Sequence, residues 1–584
     1  MFNKIFNSKT NNFTFAAFLI SFSTFLSAIL GLLRDRLLAG KFGAGEMTDI
    51  YLTAFRIPDF LQAVLVAGGI GAAFLPMFSE ECKKDKKRAF RFANNLLNCS
   101  LIFLFVLCII LAFFAPQLIQ FVAPGFSPSQ KEKTVILTQI LFLSPILFCC
   151  SSIFSGILQY FDKFLVYSLA PILYNLGIIF GILFLVPLFG IYGLAFGVVL
   201  GALLHLSVQI PAAKNSGFRY LKIFNFKELK LQKMSKLITF SAIGAGFSQL
   251  SLIFITALSS MLPPGSITIF TFSKNLQYFP VGMIGAPFAI ALFPALSRKW
   301  AAQEKEKFWE DFSLALRQIL FLTVPLSFLF FILRAQLARI AWGWGLWGWL
   351  ETKLSAASLG IFSLSLFASS LIPLFQKSFY STKDTKTPTI LQIFKFLMTV
   401  GLSVLFLYLL KSPNPFSRFL KDFLKLKNIK NVQVLSFPLA LTISNIWQSF
   451  LLFFIFVKKN NFSKLGEVFY SFKNILFATF FMGGGVWLIL RPLAKIFPLV
   501  TFWGVFFQTI FAFLFGILIY LSIALVLKFP EFKNLINSIS KKQWSIENLW
   551  EKNIIKSEPK KRQDQEKKRA EDSDNNAQKQ KKFY

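Results

Sequence analysis

Apolar runs long enough to cross a bilayer follow one another along most of this chain. A spanning helix needs roughly 20 apolar residues. Fourteen stretches fit, at about 15–33, 48–78, 92–114, 135–160, 164–186, 188–211, 236–261, 266–295, 313–334, 355–380, 388–410, 434–457, 472–493 and 502–528. The pattern predicts an all-α polytopic membrane protein of about fourteen transmembrane helices. The second and eighth runs are long and hold Gly, Pro and charge. From about residue 541 the chain is charged and nearly free of aliphatic residues after Ile555. Such a tail buries too little apolar surface to fold alone.

Composition agrees: of 584 residues 55% are hydrophobic and 77 are Phe, outside the soluble range. The first run lacks a small-residue cleavage site and leads directly into further spans, so it reads as a retained helix. Lys and Arg collect in KKDKKR (83–88), in 214–236 with seven, in 297–300, 382–386 and 457–459, and in the tail. That distribution places both termini inside. The loop 411–430, with six Lys/Arg, falls on the opposite side and suggests a miscounted span. The net charge of +35 is accounted for by topology and anionic headgroups, so nucleic acid is not an expected partner. The five cysteines have no zinc-like or disulfide-like spacing. Neither a zinc-protease, a nucleophile-elbow nor a Walker motif occurs, and the lone His205 reads as a packing or polar residue. A transporter is expected, with no cofactor; a coupling ion or the membrane potential would drive it.

A short internal repeat divides the chain. AFLPMFS (73–79) and ALFPALS (291–297) share Ala, two apolar residues, Pro, two apolar residues and Ser, 218 positions apart, and the same offset carries Arg56 onto Lys274. Two related six-helix lobes are therefore expected, 1–214 and 215–460, then a terminal helix pair, 461–530, and a tail, 531–584. Transporters built from repeats hold substrate between the halves.

Charge inside a span costs about 2.5–3.5 kcal/mol at the bilayer centre on insertion scales, so it faces a cavity or a partner. Arg34, Asp35, Arg36, Lys41, Asp49, Arg56 and Asp59 cluster in the first two spans, Lys274 lies in the eighth and Lys377 in the tenth. They predict a net basic cavity. Arg34, Arg56 and Lys274 would hold phosphate, while Asp35, Asp49 and Asp59 orient the bases. Asn275, beside Lys274, joins the candidate substrate-binding set. Arg36 reads instead as a membrane-edge residue snorkelling to headgroups. Gly68 and Gly69 in VAGGIGAAFLP (66–76), with Pro280 and Pro287, are candidate hinges; the two prolines should break the eighth span twice.

The stretch ILGLLRDRLLAGKFGAGEMTDIYLTAFRIPDFL resembles the signature of the MurJ/MviN lipid II flippase family. LSPILFCCSSIFSGILQYFDKF (143–164), APILYNLG (170–177), QYFPVGMIGAPFAIALFPALS (277–297) and FYSTKDTKTP (379–388) match in the family's order. The resemblance implies the two-lobe MOP exporter architecture, a polyprenyl-pyrophosphate glycopeptide as substrate, transfer from the inner to the outer leaflet of the bacterial cytoplasmic membrane, and a role in peptidoglycan and cell-shape maintenance. A monomer, associated with the cell-wall machinery, is expected. The chain departs from the family pattern at Ala28, Gln62, Ala67, Asn275 and Asp59, where family members carry Arg, Arg, Glu, Arg and Asn. Part of the family's charge set is missing. A flippase for another lipid-linked oligosaccharide, or a drug or ion exporter of the same superfamily, competes with the leading reading. A membrane transferase acting on lipid-linked sugars would need a general base and a carboxylate pair, which the sequence does not offer. A scaffold without transport activity is a further alternative.

Overall fold

A computed structural model describes residues 13–540 except 461 and 463. Eleven of its helices are long and apolar enough to cross a membrane, and the bent pair Trp349–Ser363 and Leu366–Ser381 makes a twelfth. The first helix, Phe13–Phe42, and the broken second one, running through 46–84, bring the spans to fourteen. Several starts are capped by side chains. Asp85 accepts from Lys87 N before the third span, Ser127 and Gln130 form a capping box before the fourth, and Thr501 accepts from Gly504 N before the fourteenth. Each cap satisfies backbone donors that lipid cannot.

Spans one to six form the first lobe. The fifth, Phe164–Phe189, and sixth, Tyr192–Asn215, touch backbone to backbone. A Cβ on Gly177 would meet Gly201 Cα at 2.3 Å, and one on Gly181 would meet Gly197 Cα at 2.4 Å. Small residues permit that approach, and dispersion supplies the attraction where lipid offers no hydrophobic drive. Spans seven to twelve form the second lobe around an aromatic core that includes Phe308, Trp309, Phe312, Phe375, Phe379 and Phe456. In both lobes the fourth member is broken: at Phe142 in Pro128–Tyr160, and by 48° between Ser363 and Leu366.

The thirteenth span, Leu465–Ile496, and the fourteenth, Phe502–Val526, pack on the ninth, Lys305–Ile332. Tyr520 donates to the Phe321 carbonyl at 2.9 Å. The tail begins with order: Pro530–Ser540 is helical, and Glu531 accepts from Ser471 Oγ at 2.9 Å with Arg317 3.5 Å away. Residues 541–584, expected to be disordered, lie outside the described residues.

The expected lobe boundary at 214/215 falls at the end of the helix Gln209–Asn215, before an extended linker that runs to Leu229. Three asparagines of the third span grip the linker. Asn94 donates to Arg219 O (3.0 Å) and accepts from Leu221 N (2.8 Å). Asn95 pairs both ways with Asn225 (3.0 and 2.7 Å), and Asn98 donates to Leu221 O and Ile223 O (2.9 and 3.0 Å). These bonds replace a sheet partner for an extended segment, so it belongs with the first lobe.

The basic loop 411–430 conceals no miscounted span. It folds into the short helix Pro415–Phe423, whose Leu420 joins Leu424, Leu426, Ile429 and Val432 over Ile269, Leu354 and Ile361. The apolar residues between its charges make it a cap on the second lobe.

Candidate substrate site between the lobes

Three rungs join the lobes at the end of the bundle that carries Gly43. In the outermost, Asp49 caps the eighth span, Ser266–Ala301, accepting from Gly265 N (2.7 Å), Thr268 N (2.8 Å) and Thr268 Oγ1 (2.6 Å). A carboxylate at a helix N-terminus meets free amides and the positive end of the dipole. Below it, Arg56 donates through Nε to Thr256 Oγ1 (2.7 Å) and through Nη2 to Thr271 Oγ1 (3.1 Å). Deeper still, Asp35 accepts from Asn275 Nδ2 at 3.2 Å. Asp35 also pairs with Arg34 at 2.8 Å, and Arg34 Nη1 donates to Asn175 Oδ1 at 3.3 Å.

A tryptophan-rich loop, WGWGLWGW (342–349), seals this end. Leu346 N donates to Gly40 O (2.9 Å) and Trp344 Nε1 to Arg36 O (2.6 Å). The loop leaves no room for a side chain at position 40, where a Cβ would meet the Trp344 ring at 2.0 Å. Trp342 and Trp347 pack on Phe272 with ring centroids 5.9 and 5.7 Å away. Arg36, expected to snorkel, is half-buried and makes contacts within the protein. It donates to the Ile340 carbonyl, and its guanidinium sits 4.5 Å from the Phe502 ring centroid.

At and below the third rung, Arg34, Asp59, Lys274, Asn275 and Lys395 are only partly buried although each lies well inside a span. Their remaining accessible surface, on helices of both lobes, points to a gap between the lobes. Asp59 lies in the electrostatic field of Arg56, Lys274 and Arg34, and Lys274 in that of Arg56, Asp59 and Lys395. Taking Arg34, Arg56, Lys274, Lys395, Asp35 and Asp59 all as ionised, four bases and two carboxylates leave two net positive charges. That arrangement can hold a dianion.

The expected site residues thus separate into two groups. Asp49 and Arg56 fasten one lobe to the other. Arg34, Asp59, Lys274 and Asn275 line the gap, and Asp35, buried at its edge, holds Arg34 and Asn275 in place. Gly68 and Gly69 fall in a π-helical segment, Gln62–Ile70. Pro280 and Pro287 do not make two breaks. They flank a single π-helical segment, Val281–Gly285, through which the eighth span continues. Each proline removes one helical hydrogen bond, and the wider turn between them reconnects the remaining groups. Lys377 lies beside the Phe293 and Tyr380 rings, 5.1 and 5.8 Å from their centroids.

Sequence reasoning missed Lys395, Asn175, Thr256, Thr271 and the tryptophan loop. Lys395 had a readable signal, a lysine in the middle of an apolar span. The threonines and Asn175 had none, because such residues are ordinary in membrane helices.

Comparison with known proteins shows the family and the fold. The family model described as "Lipid II flippase MurJ" matches residues 38–507. A probable lipid II flippase MurJ of Buchnera aphidicola subsp. Acyrthosiphon pisum is 29% identical over 65% of this chain and 75% of its own length. One from Haemophilus influenzae is 26% identical over 80% and 90%. The fold matches a lipid II flippase MurJ solved in an inward closed conformation, with TM-score 0.68 and 23% identity over 89% of this chain and all of that one. It also matches an inward-facing multidrug resistance MATE family transporter of the MOP superfamily, with TM-score 0.59 and 14% identity over 74% and 94%. The chain belongs to the lipid II flippase MurJ family.

Proposed function

We propose that this protein is a lipid II flippase that moves a polyprenyl-diphosphate glycopeptide across the cytoplasmic membrane by alternating access. The observation that carries the reading is the charged gap beneath the three rungs. It is closed at one end, and the gap together with the Arg56 rung above it carries two surplus positive charges, which match the diphosphate of such a lipid. The closed end lies opposite the basic segments 83–88 and 382–386, so the basic-loop bias assigns it to the outer face and the gap to the cytoplasmic side. Both termini are then cytoplasmic.

The sugar–peptide head enters the gap while the polyprenyl chain stays in lipid. The diphosphate relieves repulsion among the bases, which permits the lobes to close behind it. Opening outward requires Asp49, Arg56 and Asp35 to release the second lobe together. The reading is that of a transporter, with no chemical step on the substrate.

The test is complementation of bacteria depleted of their own lipid II flippase, with membrane insertion checked by immunoblot. Growth supported by the native chain and not by Arg56→Ala is the expected result. Failure of the inserted native chain to support growth overturns the reading and favours a different lipid-linked glycan.

A further inference from the structure

We propose that Lys395, with Lys274, forms the anion-binding pair of the gap and takes the diphosphate on the second lobe, while the two arginines are committed to protein contacts. The proposal rests on the flippase reading and adds to it the residue that grips the substrate.

Lys395 is the tenth residue of the eleventh span, Lys386–Lys411. At 1.5 Å per residue it lies about 14 Å from one end and about 24 Å from the other. A lysine stem cannot bring its ammonium to headgroups over those distances, so snorkelling does not explain it. The exposed stripe of this helix is Ile390, Phe394, Leu397, Val404, Leu405 and Tyr408. At 3.6 residues per turn, Lys395 points about 140° away from that stripe and into the bundle. On its own helix the inward neighbours, Gln392 and Thr399, are uncharged, and Gln392 is occupied by Gln448 Nε2 at 2.8 Å.

Among the described residues, neither Lys395 nor Lys274 has an ion pair or a hydrogen bond, yet Lys274 lies within the field of Lys395. Two like charges inside a membrane protein, with neither bonded and, among the described residues, only Asp59 as a carboxylate in the field of Lys274, are a costly arrangement that a bound anion relieves. The arginines are placed differently. Both donor edges used by Arg56 go to threonines, and Arg34 is held by Asp35 and Asn175. An ammonium is a compact charge with three rotatable donors and accepts a phosphate from many directions. That suits a ligand that must be released after transfer. Asp59, in the field of Lys274, keeps the gap from holding more negative charge than one diphosphate brings.

The experiment uses the full chain in nanodiscs of zwitterionic lipid, titrated with farnesyl diphosphate and with inorganic pyrophosphate. Variants are Lys395→Gln, Lys395→Arg, Lys274→Gln and, on the turn at 382–385, Lys383→Gln. Thermal unfolding is measured alongside. Lys395→Gln should weaken farnesyl diphosphate binding about tenfold, the loss of one charge-assisted contact, without lowering the melting temperature. Lys274→Gln should do the same, Lys395→Arg should bind near the native level, and Lys383→Gln should be unchanged. Native affinity in Lys395→Gln overturns the lysine pair but leaves the flippase reading intact. Weaker binding that comes with a lower melting temperature also overturns it, in favour of a structural role. If inorganic pyrophosphate binds as tightly as the prenylated probe, the pair stands as an anion site and the lipid-linked substrate falls. No binding by the native chain overturns the pair, and complementation then decides the flippase reading separately.

Discussion

In the second span a basic residue, Arg56, precedes a π-helical segment, Gln62–Ile70, and then a proline within helix, Pro76. In the eighth, Lys274 precedes Val281–Gly285 and then Pro294. The repeat offset lays one irregular turn over the other, as it does the basic residues. The two helices share a plan but use their charge differently. Arg56 is buried, with 6% of its surface exposed, and reaches across to Thr256 and Thr271 of the other lobe. Lys274 remains in the gap without a bonded partner among the described residues. A planar fork suits a fixed geometry, and a flexible ammonium suits a ligand that comes and goes. On the proposed reading, position follows from the repeat and the residue type decides between latch and binding group.

Changes at the two basic positions should separate these roles. Arg56→Ala has the largest expected effect. It removes two hydrogen bonds from a charged group, each about 1.5–3 kcal/mol, so flipping in reconstituted vesicles should fall about a hundredfold or more. Arg56→Lys restores the charge without the fork and should recover only part of that loss. Lys274→Gln should lower flipping about tenfold through one lost charge-assisted contact, with an unchanged melting temperature. If it instead destabilises the protein as Arg56→Ala does, the contrast between the helices disappears.

The irregular turns sharpen the comparison further. A Cβ at Gly285 would meet the Ser370 carbonyl at 2.3 Å. Gly285→Ala should therefore cost about 1–3 kcal/mol by overpacking, read as a lower melting temperature. Thr271→Val removes one of the two Arg56 contacts and should cost about 1.5–3 kcal/mol. Faster labelling of a cysteine placed at position 53, where Thr53 is fully buried between the outer two rungs, would report the loosened outer end. Pro287→Ala should have the smallest effect, within about 0.5 kcal/mol. Pro287 follows the wide turn Val281–Gly285, which already accommodates its missing N–H.

Much of the fold was legible because lipid imposes a simple length rule, and fourteen runs satisfied it. The first two spans also revealed their charges, which have few reasons to be there. Function within that cluster was less legible. Asp49 and Asp35 look alike in sequence, yet one caps a helix and the other holds an arginine and an asparagine. Which one stands beside the gap depends on partners more than 200 residues away, Gly265 and Asn275. The basic loop 411–430 misleads when its charges are counted and the buried leucines and valine between them are not. Asn94, Asn95 and Asn98 gave no warning, since asparagines near a helix end ordinarily face water or headgroups.

Those three asparagines have a mechanical consequence. A linker over 216–228 could stretch about 40 Å and act as a slack tether. Here it is pinned at residues 219, 221, 223 and 225, with Glu228 held to Asn95 at 2.5 Å. The slack is taken up. The seventh span leaves the first lobe from a fixed point, as an oar leaves its rowlock, and the second lobe can swing about that point but cannot slide past it.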